Sequence, residues 1–299
     1  MFAVVDNGVE DGRALCFLRY VRDGNILRKV GTEDAHSLLE CHHSELLFHS
    51  RERDALLHGV PLDRITRRYL PRQRVAELMA TGGKSVVAKR CGRLLKSLAG
   101  QGVPSPNVGV TGSLLVGAES DQSDIDLVIF CERAFKNAQR IIGNASAGDA
   151  IAPLPDDDWR VSYQRRNCEL SLDEYVWHER RKHNKAMFER TKFDIALGTI
   201  DSRRVETCEA VMKLGIRQIV AEVIDATRAF EFPARFEVEH ESIQEVLACT
   251  PTYSGQAFSR ETIEVSGMLE QLPDGQQRLV VGDSREAKGQ WIRVVRSFG

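Results

Sequence analysis

Two aspartates separated by one residue, Asp124 and Asp126, follow a Gly112-Ser113 pair after ten intervening residues. On an extended segment alternate side chains share a face, so both carboxylates project to one side while Ile125 and Leu127 point to the other. Carboxylates held this close repel each other unless a positive charge lies between them. A hard divalent cation with oxygen ligands meets that need: magnesium bridging to phosphate oxygens, with manganese as the alternative ion. Gly112 lets the backbone bend tightly and approach a ligand. Ser113 opens a short helix whose first amides and hydroxyl can hold a phosphate.

These groups need elements to hold them. The segment VGVTGSLLVGAESDQSDIDLVIF (108–130) reads as strand, tight turn, short helix, loop and strand. A short strand pattern at 192–197 carries Asp194 among apolar neighbours. Burying an ionised carboxylate there calls for a metal, a base role or a salt bridge; Asp201 is the reserve candidate. A charged helix expected at about 174–191 brings Arg180, Arg181, Lys182, Lys185, Arg190 and Lys192 against Glu179 and Glu189, and leads into the Asp194 strand. It reads equally as a clamp on a triphosphate or polyanionic acceptor and as a solvated face.

The arrangement closely resembles the DNA polymerase β-like nucleotidyltransferase superfamily, whose motif is a hydrophobic residue, Gly-Ser or Gly-Gly, a spacer, then Asp-x-Asp on a strand. Thr111-Gly112-Ser113 and Asp124-Ile125-Asp126 match it, with Thr111 where a more apolar residue is usual. This likeness covers roughly 84–200. The whole chain also looks like an uncharacterised group of predicted archaeal and bacterial nucleotidyltransferases, through FLRYV (17–21), LLHGVPL (56–62), TYSGQAF (252–258) and RLVVGDSREAKGQWI (278–292). The resemblance implies an α/β (α+β) mixed-sheet catalytic core with a third carboxylate, assigned to Asp194. It implies two magnesium ions held by Asp124, Asp126 and Asp194 beside Gly112 and Ser113 as nucleotide contacts; the clamp reading of the basic run adds Arg181, Lys185 and Lys192 to those contacts. The implied reaction moves a nucleoside monophosphate from a nucleoside triphosphate to an acceptor hydroxyl, on an RNA end, a small molecule or a protein, and releases pyrophosphate. The alternative from another class is a nucleotide- or RNA-binding protein that keeps the fold without turnover.

The remaining sequence sets bounds. Its 299 residues suggest roughly two domains by length; the patterning divides it into a β-rich N-terminal region with helices (1–70), a catalytic domain (71–230) and a C-terminal β module (231–299). A formal net charge of −2 argues against coating nucleic acid by bulk charge. No apolar run approaches the roughly 18 residues of a membrane span, and the N-terminus lacks a signal-peptide layout. Seven scattered cysteines without CxxC spacing suit reduced thiols in a cytoplasmic protein. Strands are expected at 2–5, 14–21 and 26–30, helical segments at 35–60 and 72–98, and a helix at about 203–229. ATGGKS (80–85) is not a P-loop, because Leu78 stands where glycine is required. Cys41, His42, His43 and His49 match no standard zinc spacing. Trp177 and Tyr175 read as core residues. GDSREAKGQ (282–290), with Arg285 and Lys288, reads as a hairpin turn; a small barrel binding single-stranded nucleic acid through Tyr253 and Phe258 is the other reading.

Overall fold

The computed structural model describes residues 1–24, 26–51, 54–198, 211–282 and 287–295. They form an α+β protein divided into two compact units, one built on 1–68 with 211–214 and 270–276, the other on 69–198, 215–269 and 277–295. No helix among the described residues is long and apolar enough to cross a membrane.

In the first unit the strands are β1 (Phe2–Glu10), β2 (Arg13–Leu18), β3 (Tyr20–Asp23) and β4 (Ile26–Lys29), followed by α1 (Thr32–His42), β5 (Leu47–Ser50) and β6 (Ala55–Pro61). An antiparallel sheet runs β1-β2-β6-β5, with β3-β4 a separate hairpin. The helix expected over 35–60 stops at His42, and β5 and β6 replace its second half. Apolar residues at threes and fours suit either period over so short a run, and pairing on both sides of β6 decides for strand. Gly59 fits there because a Cβ would lie 2.8 Å from Phe48 Cβ.

The second unit begins with α2 (Pro71–Thr81), closed by Gly82 in the left-handed region, and α3 (Val86–Gly100), capped by Ser85. Then come β7 (Val108–Val110), α4 (Gly112–Val116), β8 (Ile125–Ile129), α5 (Glu132–Gly143), β9 (Ile151–Ala152), α6 (Asp156–Arg166), α7 (Leu172–Arg181), β10 (Lys185–Phe188) and β11 (Thr191–Leu197). The sheet order is β7-β8-β11-β10-β9, with only β8 and β11 parallel. Ile125, Leu127, Ile129, Phe193 and Ile195 join Leu94, Leu98 and Phe135 in one core, so α3 and α5 cover the face opposite Asp126 and Asp194.

The charged helix is shorter than expected. It ends at Arg181, and Lys185 and Lys192 lie on the β10–β11 hairpin. The reason is local: Ala186 and Phe188 alternate into the core, and Glu189 and Arg190 both adopt positive φ, the backbone of a tight two-residue hairpin turn.

Strands β12 (Met212–Asp225), β13 (Ala234–Glu239), β14 (Ile243–Ala248), β15 (Thr262–Gln271), β16 (Gln277–Val281) and β17 (Trp291–Val294) complete the chain. The order β12-β13-β14-β16-β15 closes through β15–β12 into a five-stranded barrel, with β17 added to β15. The helix expected at about 203–229 is instead a strand from Met212 to Asp225 followed by a turn from Thr227; its first part, 203–210, lies outside the described residues, as do Asp201 and Arg285. Closure needs a long strand that bonds on both edges, which β12 supplies.

Candidate active site

The register of β8 and β11 sets Asp126 directly beside Asp194 and Ile125 beside Phe193. In a parallel pair register partners share a face, about 4.8 Å apart along the hydrogen-bonding direction. Asp124, one residue before β8, belongs to the same row and takes Lys192 as its neighbour. The three predicted acids are thus brought to one face of two adjacent strands.

Gly112 closes this face from the β7 side. Its φ is +62°, and a Cβ there would lie 2.0 Å from Asp126 Oδ2, so only glycine lets the backbone pass so near the carboxylate. The Thr111 N–H donates to the Asp126 carbonyl at 2.8 Å, which fixes the bend against β8. Ser113 follows within α4, where its carbonyl accepts from Ala118 N–H at 2.9 Å.

The charges are unevenly matched. Asp124 Oδ2 lies 3.8 Å from Lys192 Nζ and 3.7 Å from Arg165 Nη1, close enough for attraction but beyond hydrogen-bond length. Lys192 is buried and donates to Ser162 Oγ at 3.1 Å. Asp194 Oδ1 is buried with no hydrogen-bond partner among the described residues. Among those residues no group of three or more His, Cys, Asp or Glu side chains is arranged to hold a metal ion; Asp124 faces two cations instead.

The predicted basic contacts separate. Lys192 reaches the acids. Lys185 is the register partner of Asp194 on β10, yet its ammonium is bound to Glu179. Arg181 goes elsewhere: it pairs with Glu261 and stacks between Trp177 and Phe258, 4.2 and 4.4 Å from their ring centroids. It lines a cavity of about 550 Å³ together with Leu197, and Leu197 sits in the row of Ile195, opposite Asp194. The expectation of a continuous helix put all three cations together; the hairpin separates them.

Behind Lys185 lies a closed ionic cluster. Glu179 and Lys182 are fully buried, and Lys182 Nζ donates to Glu179 Oε1 at 2.6 Å and to the Thr252 carbonyl at 2.7 Å. Burial alone would raise the Glu179 pKa, but Lys182 and Lys185 outweigh it and hold the carboxyl well below the usual range.

Arg165 and Ser162, both on α6, were missed by sequence reasoning. The run DDDWRVSYQRR carries no sign that it returns to Asp124; only the packed position of α6 shows it.

No family model and no solved structure matches the chain. It is similar to the uncharacterised protein MJ1086 of Methanocaldococcus jannaschii, 29% identical over 307 residues, an alignment spanning 99% of this chain and 89% of that protein. The likeness therefore runs through both units.

Proposed function

We propose that this chain is a magnesium-dependent nucleotidyltransferase that moves a nucleoside monophosphate from a nucleoside triphosphate to an acceptor hydroxyl and releases pyrophosphate. The observation that carries this reading is the direct register of Asp126 with Asp194, with the Gly112 backbone pressed on the Asp126 carboxylate. The donor chemistry fits a hard cation: all are carboxylate oxygens, and Asp194 Oδ1 is buried with no hydrogen-bond partner among the described residues. Asp126 and Asp194 would hold the ion, with Asp124 joining them by exchanging Lys192 and Arg165 for it. When bound, magnesium neutralises phosphate charge and lowers the barrier to attack at the α-phosphorus.

The chain's own groups do the rest. Gly112 and Ser113 let the triphosphate approach the backbone, and Lys192 and Arg165 offset its negative charge. Asp194 accepts the proton of the acceptor hydroxyl. The hydroxyl oxygen then bonds to the α-phosphorus as the bond to the bridging oxygen of pyrophosphate breaks. Holding acceptor and triphosphate in line supplies most of the acceleration.

The test supplies each α-labelled triphosphate with magnesium and a mixed extract of RNA, protein and metabolites. Label should enter one of these classes and be lost in Asp126→Asn. Undiminished labelling in that variant would refute the mechanism. Triphosphate binding without any labelling would favour the non-catalytic alternative.

A further inference from the structure

The acid face carries its own counterions. Lys192 is buried, is tethered to Ser162 Oγ at 3.1 Å, and lies 3.8 Å from Asp124 Oδ2. Arg165 approaches the same oxygen at 3.7 Å from the solvent side, with its side chain 57% exposed. Both contacts are too long for hydrogen bonds, so the two cations sit beside Asp124 without saturating it. A buried ammonium at this distance opposes a divalent ion at the same carboxylate, since low-dielectric surroundings strengthen like-charge repulsion. The same ammonium attracts a polyphosphate.

We infer that Lys192, assisted by Arg165, is an internal counterion of Asp124 that holds off the divalent ion until a triphosphate draws the cations away. This rests on the reading of the three aspartates as the metal-binding face. Its consequence is an order of assembly: the free protein binds the ion weakly, and polyphosphate binding frees Asp124 to join Asp126 and Asp194. Lys192 is a positioning residue in this scheme, and it acts in opposite directions on the two ligands. A merely structural lysine would weaken both or neither.

Manganese as the probe ion, followed by electron paramagnetic resonance without nucleotide, reads the first effect. Calorimetry with inorganic triphosphate in metal-free buffer reads the second. Lys192→Met should tighten manganese binding at least fivefold and weaken triphosphate binding at least tenfold. Arg165→Gln, at an exposed position that folding tolerates, should shift both in the same directions by about twofold to threefold, because its charge is screened. Manganese affinity unchanged or weakened in Lys192→Met overturns the inference. If that variant does not fold, an unchanged affinity in Arg165→Gln overturns it instead. Asp126→Asn separates this result from the reading beneath it: manganese binding that survives Asp126→Asn means the ion sits elsewhere, and the metal-binding face itself is lost.

Discussion

Among the described residues of the acid face, Asp124 has cations near it but none in hydrogen-bond contact, and Asp194 keeps a buried oxygen without a partner. A strand away, Glu179 is buried more deeply, yet both its oxygens are engaged by lysines, and Lys182 is further satisfied by the Thr252 carbonyl. Both clusters set carboxylates beside cationic side chains, and Lys185 links them: its backbone pairs with Asp194 while its ammonium serves Glu179. A saturated buried cluster has nothing left to offer a ligand and locks α7 to β10. An unsaturated one keeps electrostatic capacity for something that arrives later. The difference separates a sealed ionic brace between helix and sheet from an acid face with charge to spare.

The sharpest break in this comparison exchanges the two kinds of carboxylate. Glu179→Gln leaves two buried ammonium groups without their anion and should reduce unfolding free energy by about 3–5 kcal/mol, measured by urea titration. Asp126→Asn, which keeps the shape of the side chain, should cost less stability than Glu179→Gln and reduce transfer roughly 10³-fold. If Asp126→Asn unfolds the protein and Glu179→Gln does not, the two clusters have been assigned the wrong roles.

A satisfied group of a third kind lies in the first unit. His58 is buried and its Nδ1 accepts the Leu18 N–H at 2.8 Å, which requires that nitrogen to be unprotonated. Burial, aided by His36, pushes its pKa from 6.5 down to about 4. The folded form thus resists protonation that the unfolded chain accepts. Its contribution is complete above pH about 6.5 and is lost as pH falls towards 4, up to about 3 kcal/mol. Urea midpoints measured from pH 7.5 to 4 should fall accordingly, and His58→Gln should flatten that slope.

Legibility followed the range of the interaction. Asp124, Asp126 and the Gly112 bend could be read because spacing of one or two residues decides which face a side chain takes. Asp194 could be read as a charged residue in an apolar strand, although its register with Asp126 depends on a crossover of more than sixty positions. The run 177–192 misleads because its cations obscure the short alternation of Lys185–Phe188. In β12, Ile219, Ala221 and Val223 are buried while Val220 and Ile224 are exposed. Apolar residues on both faces imitate a helical period, and barrel closure alone resolves it. Arg165 carries no local signal at all.

Gly112→Ala tests how tightly the acid face is packed. A Cβ at φ +62° costs about 1–2 kcal/mol, and its overlap with Asp126 Oδ2 must displace the carboxylate. A stability loss of about 2 kcal/mol should accompany loss of transfer. Wild-type transfer in this variant would show that the bend does not bear on the carboxylate.

The smallest effect is expected where sequence reasoning placed a nucleotide contact. Arg181 is held by Glu261 and by two aromatic rings, and Glu261 in turn accepts the Phe258 N–H at 2.8 Å. This is a packed brace between the end of α7 and the segment before β15. Arg181→Met keeps an apolar stem between the rings and removes the ion pair and the cation–π contact, for a loss of about 1 kcal/mol. Because Leu197, its neighbour in the cavity, lies on the face opposite Asp194, triphosphate affinity and transfer rate should both stay within twofold of the parent. A tenfold loss of triphosphate affinity with unchanged stability would return Arg181 to the acid face and erase the boundary between braced and available charges.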